Sequence, residues 1–247
     1  MYHFFVPQEN IYDSQVVITG GDVNHIKNVL RMKPGEKFVA NDGEGASYCC
    51  AIREFSGDRV IADIEKGQLE NTELPVRLVL FQGLPKADKM ELIIQKAVEL
   101  GAAEIVPVEM TRCVVKLDEK KKKSKLIRWQ SIAESAAKQS GRTVVPEVRN
   151  VMSFNDALKY SETLDMLLVP YECADSVKKL REKIDLLKGG MSAGIFIGPE
   201  GGYDEKEIEK AKDCGGEIVS LGKRILRTET AAITALSICM FNIEANL

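Results

Sequence analysis

Histidine is scarce: there are two in 247 residues, His3 and His25, and neither has metal-ligand spacing around it. A zinc site is therefore not expected. Cysteine occurs six times, as Cys49, Cys50, Cys113, Cys173, Cys214 and Cys239, and never in a C-x-x-C pair. In a chain too long to need staples, free buried thiols are the expectation. No apolar run approaches the roughly 18–20 residues of a membrane span. Met1–Pro7 lacks the basic start and the long apolar stretch of a signal peptide, so a cytoplasmic location is expected. Phosphate-binding signatures are missing too. No Lys-Ser/Thr follows a glycine loop, and the G-x-G-x-x-G spacing does not occur.

Hydrophobic residues make up 45%, enough to bury an ordinary core. The length suits a small domain followed by a medium one. Net charge is −3, unevenly spread. Residues 1–75 hold 7 Lys/Arg against 12 Asp/Glu, residues 76–145 hold 14 against 8, and residues 146–247 hold 13 against 17. The middle of the chain could therefore meet an anionic partner although the whole is acidic.

The first 70 residues read as five short strands, 2–6, 16–18, 37–41, 47–55 and 59–65, separated by turn signals such as Asn41-Asp-Gly43. One short helix interrupts them, with Asp22 as its expected cap and Val23, Ile26 and Leu30 on one face. A small barrel over residues 1–70 is expected, with 68–75 as linker. From residue 71 to 247 strands alternate with helices. Expected strands are 76–81, 105–108, 164–170, 193–197 and 217–221. Expected helices are 86–100, 125–139, 176–187, 204–213 and 228–242. This alternation predicts an α/β domain with a parallel sheet. Lys120–Lys123 is expected to be a solvated loop, with Arg112, Lys116, Arg128, Lys138 and Arg142 nearby as the means by which it could instead meet an anion.

In open α/β sheets, ligands bind outside the carboxyl ends of the strands. Three strands end unusually here: Leu167-Leu-Val-Pro-Tyr-Glu172, Ile195-Phe-Ile-Gly-Pro-Glu-Gly-Gly-Tyr203, and Val219-Ser-Leu-Gly-Lys-Arg-Ile-Leu-Arg-Thr-Glu-Thr-Ala231. Glycines let a backbone approach a ligand closely. The same glycine loop could equally be a plain turn, bent by Pro199 and followed by a helix capped by Asp204. In the third segment Ile225 and Leu226 suit the wall of an apolar pocket, and Thr228 is a candidate helix cap.

Gly198-Pro-Glu-Gly-Gly202 together with Leu221-Gly-Lys-Arg-Ile-Leu-Arg-Thr-Glu-Thr-Ala231 resembles the knotted (SPOUT) methyltransferases that use S-adenosylmethionine. Within them the chain resembles the 16S ribosomal RNA (uracil-N3)-methyltransferase family. His25-x-x-x-Val-Leu-Arg-Met-Lys-Pro-Gly35 is similar to that family's RNA-binding motif, Lys89-Met-Glu-x-x-x-Gln-Lys-x-x-Glu-Leu-Gly101 to its first α/β helix, and Arg112-Cys-x-x-Lys116 and Gln139-Ser-Gly-Arg142 to its central motifs. The resemblance implies a PUA-like barrel before an α/β domain closed by a deep trefoil knot. It also implies a homodimer, for which the apolar helix 228–242 could supply the contact, although a buried core helix would be equally apolar.

Under that resemblance the cofactor pocket comprises three groups of residues. The first is Leu168, Val169, Pro170, Tyr171 and Glu172; the second is Ile197, Gly198, Pro199, Glu200, Gly201 and Gly202. The third is Leu221, Gly222, Ile225, Leu226, Thr228 and Ala231. RNA contacts would come from Arg31, Lys33, Arg112, Lys116, Gln139 and Arg142. Uracil N3 carries a proton and is a poor nucleophile until it leaves, so a cation near the uracil oxygens would favour reaction. Arg227 is the first candidate and Arg224 the second. Glu229 could orient an arginine, accept the proton, or simply favour its helix N-terminus. Rival readings are a related enzyme acting on another ribosomal or transfer RNA nucleoside, and a non-catalytic RNA-binding assembly factor.

Overall fold

A computed structural model describes residues 1–67, 69, 71–174 and 176–247. Two positions of the expected linker, 68 and 70, lie outside the described residues. The chain forms two compact units: Met1–Glu73 with Ala137–Val145, and Leu74–Ala136 with Pro146–Leu247. The sequence suggested one cut near residue 70, whereas the first unit also takes in a short piece from mid-chain.

In the first unit, β1 (Tyr2–Phe5), β2 (Gln15–Ile18), β3 (Lys37–Asn41), β4 (Ser47–Ser56) and β5 (Arg59–Lys66) form one sheet in the order β1-β3-β4-β5-β2. β1 and β3 run parallel and the other pairs antiparallel. The Asp42 carboxylate accepts from the N–H groups of Glu44 and Ala46, which shapes the β3–β4 turn. Phe4, Phe38, Ile26, Val16, Ile52 and Val60 fill the core, with the Phe4 and Phe38 rings edge to face at 5.6 Å. α1 (Gly21–Asn24) continues as a wider π-helical turn over His25–Val29. Val23 and Ile26 are buried and Leu30 packs against the core, as their spacing predicts. Asp22 differs from expectation. It lies inside the first helical turn and accepts from the Lys138 ammonium at 2.9 and 3.0 Å, instead of capping the helix.

The mid-chain piece is tied in by Arg142. This side chain is 6% exposed and forms an ion pair with Glu73, whose carboxylate also accepts from the N–H groups of Thr143 and Val144. The carbonyl of Arg142 accepts from Asn41 at 3.1 Å.

The second unit is built on a parallel sheet of β6 (Arg77–Gly83), β7 (Glu104–Glu109), β8 (Glu147–Val148), β9 (Met152–Ser153), β10 (Met166–Pro170), β11 (Ser192–Ile197) and β12 (Glu217–Val219). The order is β12-β10-β11-β6-β7-β8, with β9 pairing β7 further along that strand. β6, β7 and β11 are buried almost end to end, which is why they read as unbroken apolar runs. Phe81 and Phe196 stack at 5.2 Å, and Phe154 meets Phe196 edge-on.

The helices are α2 (Lys89–Glu99), α3 (Glu119–Ser140), α4 (Phe154–Ser161), α5 (Val177–Ile184), α6 (Glu205–Asp213) and α7 (Thr228–Ala245). In α7, Ala232, Ala235, Leu236, Cys239 and Ile243 form the buried face, at helical spacing. Three features depart from the sequence reading. Lys120–Lys123 is helical, within the first turns of α3, where Lys122 pairs with Glu109 and Glu119; lysine is a good helix former, and charge alone does not mark a loop. β8, β9 and α4 were not anticipated. The cysteines are free, but only Cys50, Cys113 and Cys239 are buried, and Cys173 is exposed. Among the described residues, no helix is long and apolar enough to cross a membrane.

Candidate active site

The carboxyl ends of three neighbouring strands, β12, β10 and β11, deliver three loops to one place. Together they enclose a cavity of about 460 Å³. Pro170, Tyr171 and Glu172 line it from the end of β10, and Gly198–Tyr203 from the end of β11. The segment from Ser220 to Ala231 supplies the third wall, and Lys89 of α2 completes the lining.

Local chemistry fixes each loop. The Tyr171 N–H donates to the Val219 carbonyl at 2.9 Å, holding the β10 and β12 ends together. After β11 the chain turns through Pro199–Gly202, closed by the Gly202 N–H donating to the Pro199 carbonyl at 2.9 Å. Gly202 has φ +69, a left-handed conformation that favours glycine. The Tyr203 hydroxyl then reaches back to donate to the Phe196 carbonyl. Burial, with Glu207 and Glu172 nearby, pushes this phenol well above its usual pKa, so it stays a neutral donor. Asp204 caps α6 in a reciprocal box with Glu207, the capping role expected of it.

The glycine loop also leans on the central strand. A Cβ at Gly83, the last residue of β6, would stand 2.7 Å from the Pro199 nitrogen and 2.8 Å from the Met110 sulfur. The Thr228 hydroxyl donates to the Gly198 carbonyl at 2.7 Å and accepts from the Gln82 amide at 2.8 Å. That amide also donates to the Gly83 carbonyl. Thr228 is therefore the first residue of α7 and a bridge between loops; Arg227 holds the cap position, without a side-chain bond.

The charged side chains at the cavity are Lys89, Glu172, Glu200, Arg224 and Arg227, with Glu229 beside Lys89. Lys89 Nζ lies 3.1 Å from Glu200 Oε1 and 3.2 Å from Glu229 Oε2. These carboxylates hold the ammonium pKa above its usual value. Burial works against the Glu200 carboxylate, but the Lys86 N–H at 3.0 Å and the Lys89 ammonium outweigh it and hold its pKa low. Arg224 and Arg227, by contrast, are exposed, line the cavity, and have no side-chain hydrogen bond or ion pair among the described residues.

Comparison with known proteins decides the family. Residues 72–240 match the RNA methyltransferase domain and residues 18–65 the RNA methyltransferase PUA domain. Ribosomal RNA small subunit methyltransferase E of Bacillus subtilis is 41% identical over 230 residues, covering 92% of this chain and 90% of that one. The chain belongs to this RNA methyltransferase family. The protein of the same name from Mesomycoplasma hyopneumoniae is 34% identical over 247 residues, covering 97% of this chain and 99% of that one. A Neisseria gonorrhoeae ribosomal RNA small subunit methyltransferase E, solved bound to S-adenosyl methionine, is 34% identical, with a TM-score of 0.82 over 96% of both chains.

Within this methyltransferase the structure brings most of the expected pocket residues to one cavity. Leu168 and Val169 are the exception: both are buried in β10 and do not line it, because their side chains belong to the sheet interior. Ile225 lines the cavity while 87% exposed. Glu229 faces Lys89 instead of an arginine. Of the residues expected to meet RNA, Arg31, Lys33, Lys116 and Gln139 are exposed. Arg31 has φ 55, uncommon for a residue with a side chain. Arg112 is exposed but also donates to the Gly201 carbonyl at 3.3 Å, bracing the glycine loop. Arg142 is the correction, since its guanidinium is buried against Glu73 and so is not an exposed contact. Lys89, Tyr203 and Ser220 line the cavity without having been singled out. Each lies within a quoted segment, which is the one signal in the sequence that points to it.

Proposed function

We infer that this chain is an S-adenosylmethionine-dependent methyltransferase that modifies N3 of one uridine in the 16S ribosomal RNA of the small ribosomal subunit. The observation that carries the reading is the cavity at the ends of β10, β11 and β12, in a chain of the small-subunit methyltransferase family whose Neisseria relative was solved with that cofactor.

The residues present fit the cofactor. The cavity volume lies within the roughly 300–1,000 Å³ of small-molecule sites. Its walls offer backbone groups at Gly198, Gly201 and Gly202, apolar surface at Ile197, Ile225 and Leu226, and carboxylates at Glu172 and Glu200. No phosphate loop is present, in keeping with a ligand that carries no phosphate. Pro170, Tyr171, Pro199, Leu221, Gly222, Thr228 and Ala231 complete the proposed lining. When bound, S-adenosylmethionine supplies an electrophilic methyl group.

The chain's own residues then align and polarise the base. Arg227, with Arg224 second, faces the uracil oxygens and stabilises the negative charge that develops as N3 loses its proton. Both guanidinium groups are exposed and unpaired among the described residues, which supports these roles. Alignment contributes a large share of the rate. Glu229 is paired with Lys89, which favours an orienting role over that of proton acceptor. Arg31, Lys33, Arg112, Lys116 and Gln139 contact the RNA.

The finer architecture belongs to the same proposal. The α/β domain carries the trefoil knot of the SPOUT class, and the chain acts in the cytoplasm as a homodimer, with α7 at its interface. The 71% exposed Phe241 of α7 supports that contact. The test is mass spectrometry of ribosomal RNA from a deletion strain. One 3-methyluridine should disappear, return with the wild-type gene, and stay absent with Arg227→Ala; an unchanged nucleoside profile overturns the reading.

A further inference from the structure

Lys89 occupies the first turn of α2, where a positive charge opposes the helix macrodipole. Two carboxylates offset that cost, and they come from two different segments, of which Glu200 lines the cavity. Glu200 belongs to the glycine loop after β11, and Glu229 to the first turn of α7, two residues beyond Arg227. All three side chains are mostly shielded, at 28%, 25% and 16% exposed. Glu200 is further anchored by the Lys86 N–H, so the Lys89–Glu200 side of the bridge is also held by the segment that leads into α2. Glu229 Oε2 is fully buried and, among the described residues, is faced by the Lys89 ammonium and by no other hydrogen-bond donor. Remove that ammonium and two carboxylates are left facing a shielded space, and the start of α7 keeps its tie to the glycine loop through Thr228 and Gly198 but loses the one that fixes Glu229.

We propose that Lys89 is a positioning residue of the methyl-transfer site, tying the glycine loop to the start of α7 and so setting where Arg227 stands relative to the bound cofactor. The inference rests on the methyltransferase reading above. Its consequence is specific: loss of Lys89 harms the chemical step more than it harms cofactor binding. Most of the cofactor's proposed contacts lie on the glycine loop and the β10 end, which keep their own hydrogen bonds, whereas Arg227 lies on the segment that loses this tie. A misplacement of about 1 Å at a reacting centre can cost about 100-fold in rate.

The experiment compares wild type with Lys89→Met, Lys89→Arg and Glu229→Gln. Cofactor affinity is measured by calorimetry with S-adenosylmethionine, turnover with purified small ribosomal subunits, and folding by thermal melting. Lys89→Met should lose about 100-fold in kcat while cofactor affinity falls by less than about tenfold. Lys89→Arg, whose planar fork can meet two carboxylates, should recover most of that loss. If Lys89→Met fails to fold, Glu229→Gln, which removes one arm only, should show the same split. Unchanged turnover in the folded variant, or equal losses in affinity and turnover with no rescue by arginine, overturns the proposal. A wild-type protein that neither binds the cofactor nor methylates would instead overturn the methyltransferase reading itself.

Discussion

The Thr228 hydroxyl donates to the Gly198 carbonyl at 2.7 Å, joining the two motifs that stand out in the C-terminal third of the sequence. A hydroxyl has one proton, so its second bond must be an accepting one, and the Gln82 amide supplies it at 2.8 Å. Thr228→Val leaves a buried amide N–H and a carbonyl without their partner. The expected cost is about 1–3 kcal/mol in urea unfolding. Cofactor affinity should weaken in parallel, and Thr228→Ser should restore both. A valine variant as stable and as tightly binding as wild type would show that the bridge does not shape the cavity.

Gly83 gives a steric counterpart. The Cβ of Gly83→Ala would stand 2.7 Å from a backbone nitrogen of Pro199, an atom that cannot swing away as a side chain can. Overpacking of this kind costs about 1–3 kcal/mol. The alanine variant should unfold at lower urea and bind S-adenosylmethionine less tightly, since the glycine loop must move away from β6. Calorimetry on the folded variant checks this.

Arg142 separates structure from RNA contact. Removing its buried guanidinium from Glu73 should cost about 3 kcal/mol, the low end for a buried pair, because Glu73 keeps the Thr143 and Val144 N–H donors. Losing an exposed phosphate contact would instead leave stability unchanged and lower the salt slope of RNA binding by about one unit. Arg142→Ala should show the first pattern and Lys116→Ala the second. The reverse result would return Arg142 to the RNA surface.

The Lys89 bridge predicts a pH window. The Glu200 pKa is held below the ordinary 4.5, so its contribution to stability is complete above that value and is lost as pH falls through the lowered folded-state pKa. The Lys89 pKa is raised above 10.5, so its contribution is complete below that value and is lost as pH rises through the raised one. Between these limits the bridge should be indifferent to pH. The melting-temperature difference between wild type and Glu200→Gln should therefore be constant near neutrality and shrink as pH falls below 4.5. A difference that instead grew in acid would contradict the assignment.

Much of the scaffold was legible because its physics is local. β6, β7 and β11 are buried on both faces and read directly as apolar runs, and the Asp204 cap follows from one residue and its neighbours. What escaped notice depends on partners far along the chain or on elements too short to carry a period. β8 and β9 have two residues each. The α3 start hides behind four lysines whose helical state was masked by their charge. Lys89 reads as an ordinary polar residue of an amphipathic helix until Glu200 and Glu229 are brought to it. Arg142 looked like a basic contact for the same reason, since its partner Glu73 precedes the whole first α/β unit.

The most direct test of the central claim is methylation of purified small ribosomal subunits by this protein with labelled S-adenosylmethionine, followed by mapping of the modified nucleotide. The account predicts one methyl group per subunit, on N3 of a single uridine of the 16S ribosomal RNA. Label on another position, transfer to transfer RNA in preference to subunits, or no transfer by a protein that binds the cofactor would contradict it.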